Sequence, residues 1–327
     1  MTIVVTGCAG FIGFHVAMTL LARGEAVIGI DNVNDYYSTA LKEARLAQLA
    51  ARRGFTFHRI DIADRDAVAG VFARHPEITG VIHLAAQAGV RYSLVNPYAY
   101  VDSNVTGQLT LLEAARRLER ISCFVYASSS SVYGGNTKQP FSVDDPVDRP
   151  VSLYAVTKRA CELMAQSYSH LYRLPCIGLR FFTVYGPWGR PDMAAYIFTQ
   201  SILAGRPIEV FNEGRMARDF TYIDDIVAGT VAALDRPPPA DAAGVRHRIY
   251  NLGNHRPEKL LDFIAVIERA LGRKAELKLL PLQPGDVPES FADIDASRRD
   301  LGFEPKTPIS EGLPRFIAWF KDYHRIP

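Results

Sequence analysis

Short β-branched runs alternate with longer stretches of helical periodicity through the first half of the chain. Residues 2–6 form a compact apolar run, closed by Gly7-Cys8-Ala9-Gly10-Phe11-Ile12-Gly13 and followed over 15–23 by apolar positions at helical spacing. The pattern predicts strand, glycine turn, helix. It then repeats: strand over 26–30, helix to about 53, strand over 55–60, helix over 64–74, strand over 80–84, helix over 97–118 and strand over 121–128. A proline-punctuated acidic loop at 140–150 precedes a further helix that begins at Leu153. Strands and helices in this cadence predict an α/β fold, a doubly wound parallel sheet of Rossmann type.

Beyond residue 180 the texture changes. Residues 181–193 are aromatic and rich in Pro and Gly, too irregular for a plain strand or helix, and such segments serve more often as binding loops than as spacers. Later come a Pro/Ala stretch at 236–243, a strand over 248–252, and helices over 259–271 and 313–323. We therefore expect residues 1–180 to form a nucleotide-binding domain and 181–327 a smaller lobe closing over the substrate, with some segments returning to the large sheet.

Composition narrows the classes. The 327 residues are 48% hydrophobic and 22% charged, an ordinary globular balance with enough material for a large core. The formal charge of +2 comes from 37 basic and 35 acidic residues that are interspersed, with no basic block suited to following a phosphate backbone, so nucleic acid is not an expected partner. Cys8, Cys123, Cys161 and Cys176 show no C-x-x-C spacing, which argues against a zinc site or disulfide framework and for a reducing, cytoplasmic setting. No metal is expected. No apolar run approaches the length of a membrane span, and the start of the chain has no leader-like pattern, so a soluble, unexported protein is expected.

The candidate chemistry lies at the ends of the predicted strands. Glycines at 7, 10 and 13 permit a tight turn and bring backbone N–H groups, with Phe11 and Ile12 between them, against an anion at a helix N-terminus. Asp31, ending the second strand with Asn32 beside it, is placed to accept from a ribose 2′-OH and to repel a 2′-phosphate, which favours NAD over NADP. Asp61 and Ile62 are placed to flank the adenine. The small residues after Leu84 (Ala85, Ala86 and Gln87) let a cofactor approach the backbone, and Asn104 is a candidate for holding that backbone near the site. His83 reads as a packing residue, since no second ligand has metal spacing.

Tyr154 and Lys158 lie one helical turn apart on one face. A phenol is a poor base at neutral pH, and an adjacent ammonium favours the phenolate that general base catalysis needs. Tyr-x-x-x-Lys arises often on amphipathic helices, so its weight comes from its company. The serine run at 128–131 supplies it: Ser128 ends the strand beside the cofactor, and Ser129 is our choice for a hydroxyl that binds the substrate oxygen and relays its proton.

Taken in order, these motifs resemble the extended short-chain dehydrogenase/reductase superfamily of nucleotide-sugar enzymes. Residues 180–194 (RFFTVYGPWGRPDMA), 127–134 (ASSSSVYG), 218–225 (RDFTYIDD) and 283–286 (QPGD) look like the UDP-glucuronate 4-epimerases within it. The resemblance implies Tyr154 as acid/base, Lys158 as its partner and ribose clamp, and Ser129 on the sugar 4-OH. It places Ser130, Ser131 and Thr183 at the sugar and its carboxylate, Arg218 on the diphosphate and Asp286 on the uridine side. Arg190 is a candidate for the carboxylate. Galactose epimerases of the superfamily usually carry Asn where Thr183 stands and often a basic residue where Gln283 stands, which argues against UDP-glucose as best substrate.

The activity implied is C4 epimerisation of UDP-glucuronate to UDP-galacturonate through a transient 4-keto sugar, with NAD held tightly in a homodimer built through the helices after Pro97 and Leu153. Two enzyme alternatives stay open, a UDP-glucuronate decarboxylase and an epimerase of another nucleotide sugar. A dehydratase would need a carboxylate acid/base pair where the serines stand, and a catalytically silent NAD-binding regulator would not need Tyr154, Lys158 and Ser129 intact.

Overall fold

A computed structural model describes residues 1–282 and 288–326. Its centre is a seven-stranded sheet built from β1 (Thr2–Thr6), β2 (Ala26–Asp31), β3 (Phe55–Arg59), β4 (Ile78–His83), β5 (Cys123–Ser129), β6 (Cys176–Phe181) and a last strand, His247–Leu252. The spatial order is His247–Leu252, β6, β5, β4, β1, β2, β3, with every neighbouring pair parallel. Successive side chains feed opposite faces. Ile3 and Val5 of β1 join one buried cluster, with Ile82, Val125 and Ile177; Val4 joins the other, with Val81, Phe124 and Tyr126. Covering both faces is what makes these strands near-continuous apolar runs.

Helix α1 (Phe11–Ala22) packs on the first face and is longer than its periodicity suggested, because Phe11, Ile12 and Gly13 already belong to its first turn. Helix α2 (Thr39–Ala50) follows β2. Gly107–Ala115 and Leu153–Tyr172 contribute to the opposite face. The stretch read as one helix over 97–118 is interrupted: Val101–Thr106 is a π-helical turn between Pro97–Tyr100 and Gly107–Ala115. Such turns occur often at functional sites, and this one carries Asn104.

The second half of the chain contributes a strand to the large sheet. The strand His247–Leu252 lies beside β6 at the edge of the large sheet. The segment after β6 contains a short strand, Thr183–Tyr185, paired in parallel with Phe220–Tyr222. Farther on, the helix Ile309–Tyr323 starts four residues before the predicted position, with Pro314 in its early turns. Its Trp319 and Tyr323 pack on Trp188 at ring distances of 5.3 and 5.4 Å, while Phe14 of α1 meets Trp188 at 5.6 Å. Among the described residues, no helix is long and apolar enough to cross a membrane.

Two buried histidines sit in the sheet. His83 Nδ1 lies 2.7 Å from Thr6 Oγ1, whose oxygen also receives the Ala85 N–H; His247 lies 2.8 Å from both Tyr126 Oη and Gln166 Oε1. Burial pushes His83 down to about 3, with the Lys158 charge adding to it, and burial pushes His247 down to about 4 from the ordinary 6.5. The unfolded chain thus takes up these protons near pH 6.5 while the folded one refuses them until about pH 3–4, so stability rises with pH across that window. We expect each histidine to cost about 1–2 kcal/mol of unfolding free energy between pH 6.5 and 5. Urea unfolding at pH 7 and 5 measures this, and equal stabilities at the two values would refute it.

Candidate active site

In an open parallel sheet, ligands bind beyond the carboxyl ends of the strands where the strand order reverses. Here that point lies between β1 and β4, and it opens into a cleft of about 1200 Å³. Single small-molecule sites span roughly 300–1,000 Å³. This one has room for a dinucleotide and a second ligand.

The cofactor half is made by the turns after β1 to β4. Gly7 has φ 71° and its N–H donates to Ile30 O at 2.7 Å, while the Gly10 N–H donates to Gly7 O at 2.9 Å. A Cβ on Gly7 would stand 2.7 Å from Ala85 N, and one on Gly13 would overlap the Gly7 carbonyl oxygen. The turn is therefore pressed against both α1 and the segment after β4. Asp31 is buried and accepts from the N–H groups of Ala9 (3.0 Å) and Val33 (2.8 Å). Burial pushes its carboxyl up, opposed by those hydrogen bonds and by the Lys42 and Arg45 charges. Asp61 accepts from Asn32 Nδ2 at 2.7 Å and the Ala63 N–H at 2.9 Å. Gly7, Gly10, Phe11, Ile12, Gly13, Asp31, Asn32, Asp61, Ile62 and the Leu84–Ala85–Ala86–Gln87 segment all line the cleft. A glycine turn that no Cβ could enter, at a helix N-terminus and facing a carboxylate, fits a dinucleotide.

Asn104 ties down the backbone beside the cleft. It does not line the cleft; it is buried behind it, accepting the Gln87 N–H at 2.8 Å and donating to Gln87 O at 3.1 Å and Thr157 Oγ1 at 3.0 Å. Thr157 in turn donates to the carbonyl of Tyr154. An amide aimed inward from the π turn thus ties the β4 segment to the first turns of the tyrosine's helix.

The reacting half gathers around Tyr154. Its helix starts where Ser152 caps it, accepting the Ala155 N–H at 3.1 Å, and this sets Tyr154 in the first turn and Lys158 one turn on. Lys158 is buried and donates to Ala127 O at 2.9 Å, so its ammonium is held at the end of β5. Ser129 Oγ accepts from both the Ser131 N–H (3.2 Å) and the Ser131 hydroxyl (3.0 Å). Its acceptor positions are filled, which leaves its own proton to donate outward.

Ser128 also lines the cleft, but its hydroxyl donates away from it, to Glu162 at 2.7 Å. Glu162 also takes Arg180 Nε at 2.8 Å and Nη2 at 3.0 Å, together with Arg159 Nη1 at 3.0 Å. Burial pushes the Glu162 carboxyl up, but the Arg180 hydrogen bonds and charge, with those of Ser128 and Arg159, outweigh it and hold the group below the usual carboxylate range. This buried ion pair braces the serine strand from behind. The sequence reading missed it; its one signal was Glu162 falling a turn beyond Lys158 on the same helix face.

Ser130, Ser131, Thr183, Arg190 and Arg218 line the same cleft. Arg218 Nη1 donates to the carbonyls of Ala217 and Pro288. Asp286, with Gln283, lies outside the described residues. Arg45 was also missed. It is fully buried on α2 and donates to Ala9 O, Tyr37 Oη and Trp188 O, joining the glycine turn to the loop that carries Arg190.

The comparisons agree with this geometry. A family model described as the NAD dependent epimerase/dehydratase family matches residues 3–253. UDP-glucuronate 4-epimerase 4 of Arabidopsis thaliana is 48% identical over 99% of this chain and 76% of its own length. A probable UDP-glucuronate 4-epimerase of Rhizobium meliloti is 45% identical over 99% of this chain and 98% of its own. The crystal structure of UDP-glucuronic acid 4-epimerase from Bacillus cereus in complex with UDP-glucuronic acid and NAD superposes with a TM-score of 0.90 at 34% identity, covering 99% of this chain and 100% of that one. With the cleft at the strand-order reversal, the glycine cradle and the family match over most of its length, the chain belongs to the NAD dependent epimerase/dehydratase family.

Proposed function

We propose that the protein interconverts UDP-glucuronate and UDP-galacturonate at C4 through a transient 4-keto sugar, with NAD retained through the cycle. The observation that carries this reading is one cleft lined by Tyr154 and Lys158 together with Ser129, Ser130, Ser131, Thr183 and Arg190. That lining pairs an acid/base with hydroxyls and a guanidinium suited to a sugar acid. The likeness to UDP-glucuronate 4-epimerases supports it.

Gly7, Gly10, Gly13, Asp31 and Asp61 would hold the cofactor, which when bound supplies a reversible hydride acceptor. The chain's own groups handle the proton. Tyr154 takes it from the 4-OH, Lys158 keeps a positive charge beside the phenol, and Ser129 donates to the developing carbonyl oxygen. A 4-keto uronic acid is a β-keto acid and loses carbon dioxide when its C5–C6 bond aligns with the carbonyl π system. Ser130, Ser131 and Thr183 hold the carboxylate out of that alignment. The Ser131 hydroxyl, now turned to Ser129, must rotate to join them.

A homodimer through the segments after Pro97 and Leu153 fits the apolar side chains these leave open, with Tyr98 79% and Leu163 55% exposed. The four free cysteines suit the cytoplasm.

Incubating the purified protein with UDP-glucuronate and no added NAD, then resolving products by NMR and mass spectrometry, tests the reading; light scattering on the same sample should give twice the chain mass. UDP-galacturonate of unchanged mass is expected. Loss of carbon dioxide would make the enzyme a decarboxylase, and unaltered substrate would end the proposal.

A further inference from the structure

Arg190 faces the cleft already engaged. Its Nε donates to Asp192 Oδ1 at 3.0 Å and its Nη2 to Asp192 Oδ2 at 2.5 Å. Asp192 Oδ2 also accepts the hydroxyl of Tyr36 at 3.0 Å, from the segment that follows Asp31. Tyr36 is itself fixed: its ring packs on Tyr92 at 4.8 Å, and its oxygen lies where a Cβ on Gly89 would stand 2.5 Å away. All three side chains line the cleft. Burial pushes the Asp192 carboxyl up, but the Arg190 charge and the hydrogen bonds from Arg190 and Tyr36 hold it below the usual range; burial and the Asp192 charge push Tyr36 up to about 12, so it stays a donor.

We infer that Asp192 and Tyr36 are positioning residues that hold Arg190 as a charge-balanced partner for the sugar carboxylate, weak enough in its grip to let the keto sugar turn over. This rests on the reading of the substrate as a uronic acid. A guanidinium has five N–H donors in a fixed fork. Asp192 takes the edge formed by Nε and Nη2, which leaves Nη1 and the second proton of Nη2 for a ligand. An incoming carboxylate therefore meets donors whose charge is already neutralised.

That balance answers two demands of the reaction. The carboxylate must be oriented, or the β-keto acid decarboxylates; yet the ring must be released between the two hydride transfers, and an unopposed cation gripping one end of it would slow that rotation. Binding the intermediate too well raises the barrier to leaving it. Because Tyr36 reaches Asp192 from the cofactor side of the cleft, the balance is set by both halves of the site.

The test is steady-state kinetics on Asp192→Asn and Tyr36→Phe with UDP-glucuronate, alongside inhibition by a neutral UDP-hexose. Asp192→Asn should lower KM for UDP-glucuronate roughly fivefold, the size of one partly exposed ion pair, and lower kcat with it. Tyr36→Phe should move both in the same direction by about half as much in free energy. Inhibition by the neutral sugar should stay unchanged in both, which damage to the fold would not allow. If the wild type turns over UDP-glucuronate but both variants keep its KM and kcat, or Asp192→Asn raises KM, the inference is overturned while the epimerase reading stands. If the wild type does not act on UDP-glucuronate, it is the epimerase reading that fails. Should Asp192→Asn lose its NAD or its melting transition, Tyr36→Phe decides by the same criteria.

Discussion

Tyr154→Phe should turn over UDP-glucuronate ~10²–10⁴-fold more slowly than the wild type, the usual contribution of a positioned acid/base. The substitution removes one oxygen and leaves the ring. That ring is half-buried and stands edge-on to Tyr100 at 6.0 Å, a contact a phenylalanine keeps. The carbonyl of residue 154 still receives Thr157, and Lys158 still donates to Ala127 O. The variant should therefore melt within a few degrees of the wild type and carry the same NAD content. Turnover within tenfold of the wild type would mean that another group moves the proton. Loss of NAD would mean that the phenol serves binding rather than chemistry.

Gly13→Ala should purify without NAD and with a lower melting temperature. The new methyl would overlap the carbonyl oxygen of Gly7, and its obstacle is backbone, which cannot swing aside as a side-chain tip can. Gly7 cannot retreat either, because its N–H is bonded to Ile30 and it presses on Ala85. Helix α1 must move outward, which opens the anion-binding turn. Forcing extra volume into a packed site costs about 1–3 kcal/mol. The ratio of absorbance at 260 and 280 nm reports the cofactor, and a thermal melt reports the fold. A variant with full NAD content and an unchanged melt would show that the glycine turn is not the cradle described above.

Much of this arrangement is legible in the chain because a parallel sheet writes itself plainly. Strands buried on both faces must be apolar throughout, so β1, β2, β4 and β5 stand out, and the ligand-facing residues follow immediately at their carboxyl ends. What escaped notice depends on tertiary contact. Arg45 and Lys42, one turn apart in α2, are both buried, while Arg52 and Arg53 just past the helix end are exposed; nothing local tells these cations apart. Glu162 and Arg180 are separated by a helix end, a loop and most of a strand, and only the packing of that helix on the sheet makes them partners. The π turn at Val101–Thr106 hides because one extra residue per turn scarcely disturbs an apolar stripe, yet it is the turn from which Asn104 reaches Gln87. Asp192 looked like part of a loop motif, and its pairing with Tyr36 spans 156 residues.

The route of the chain at the sheet's outer border bears on how such an enzyme can change. Because His247–Leu252 seals the flank of β6, a cut at 180 would leave a bare strand whose unpaired amides invite clumping with other copies. Residues 181–327 cannot be swapped as a cassette behind a single junction. New specificities must instead be grafted as loops between residues that stay threaded through the same scaffold.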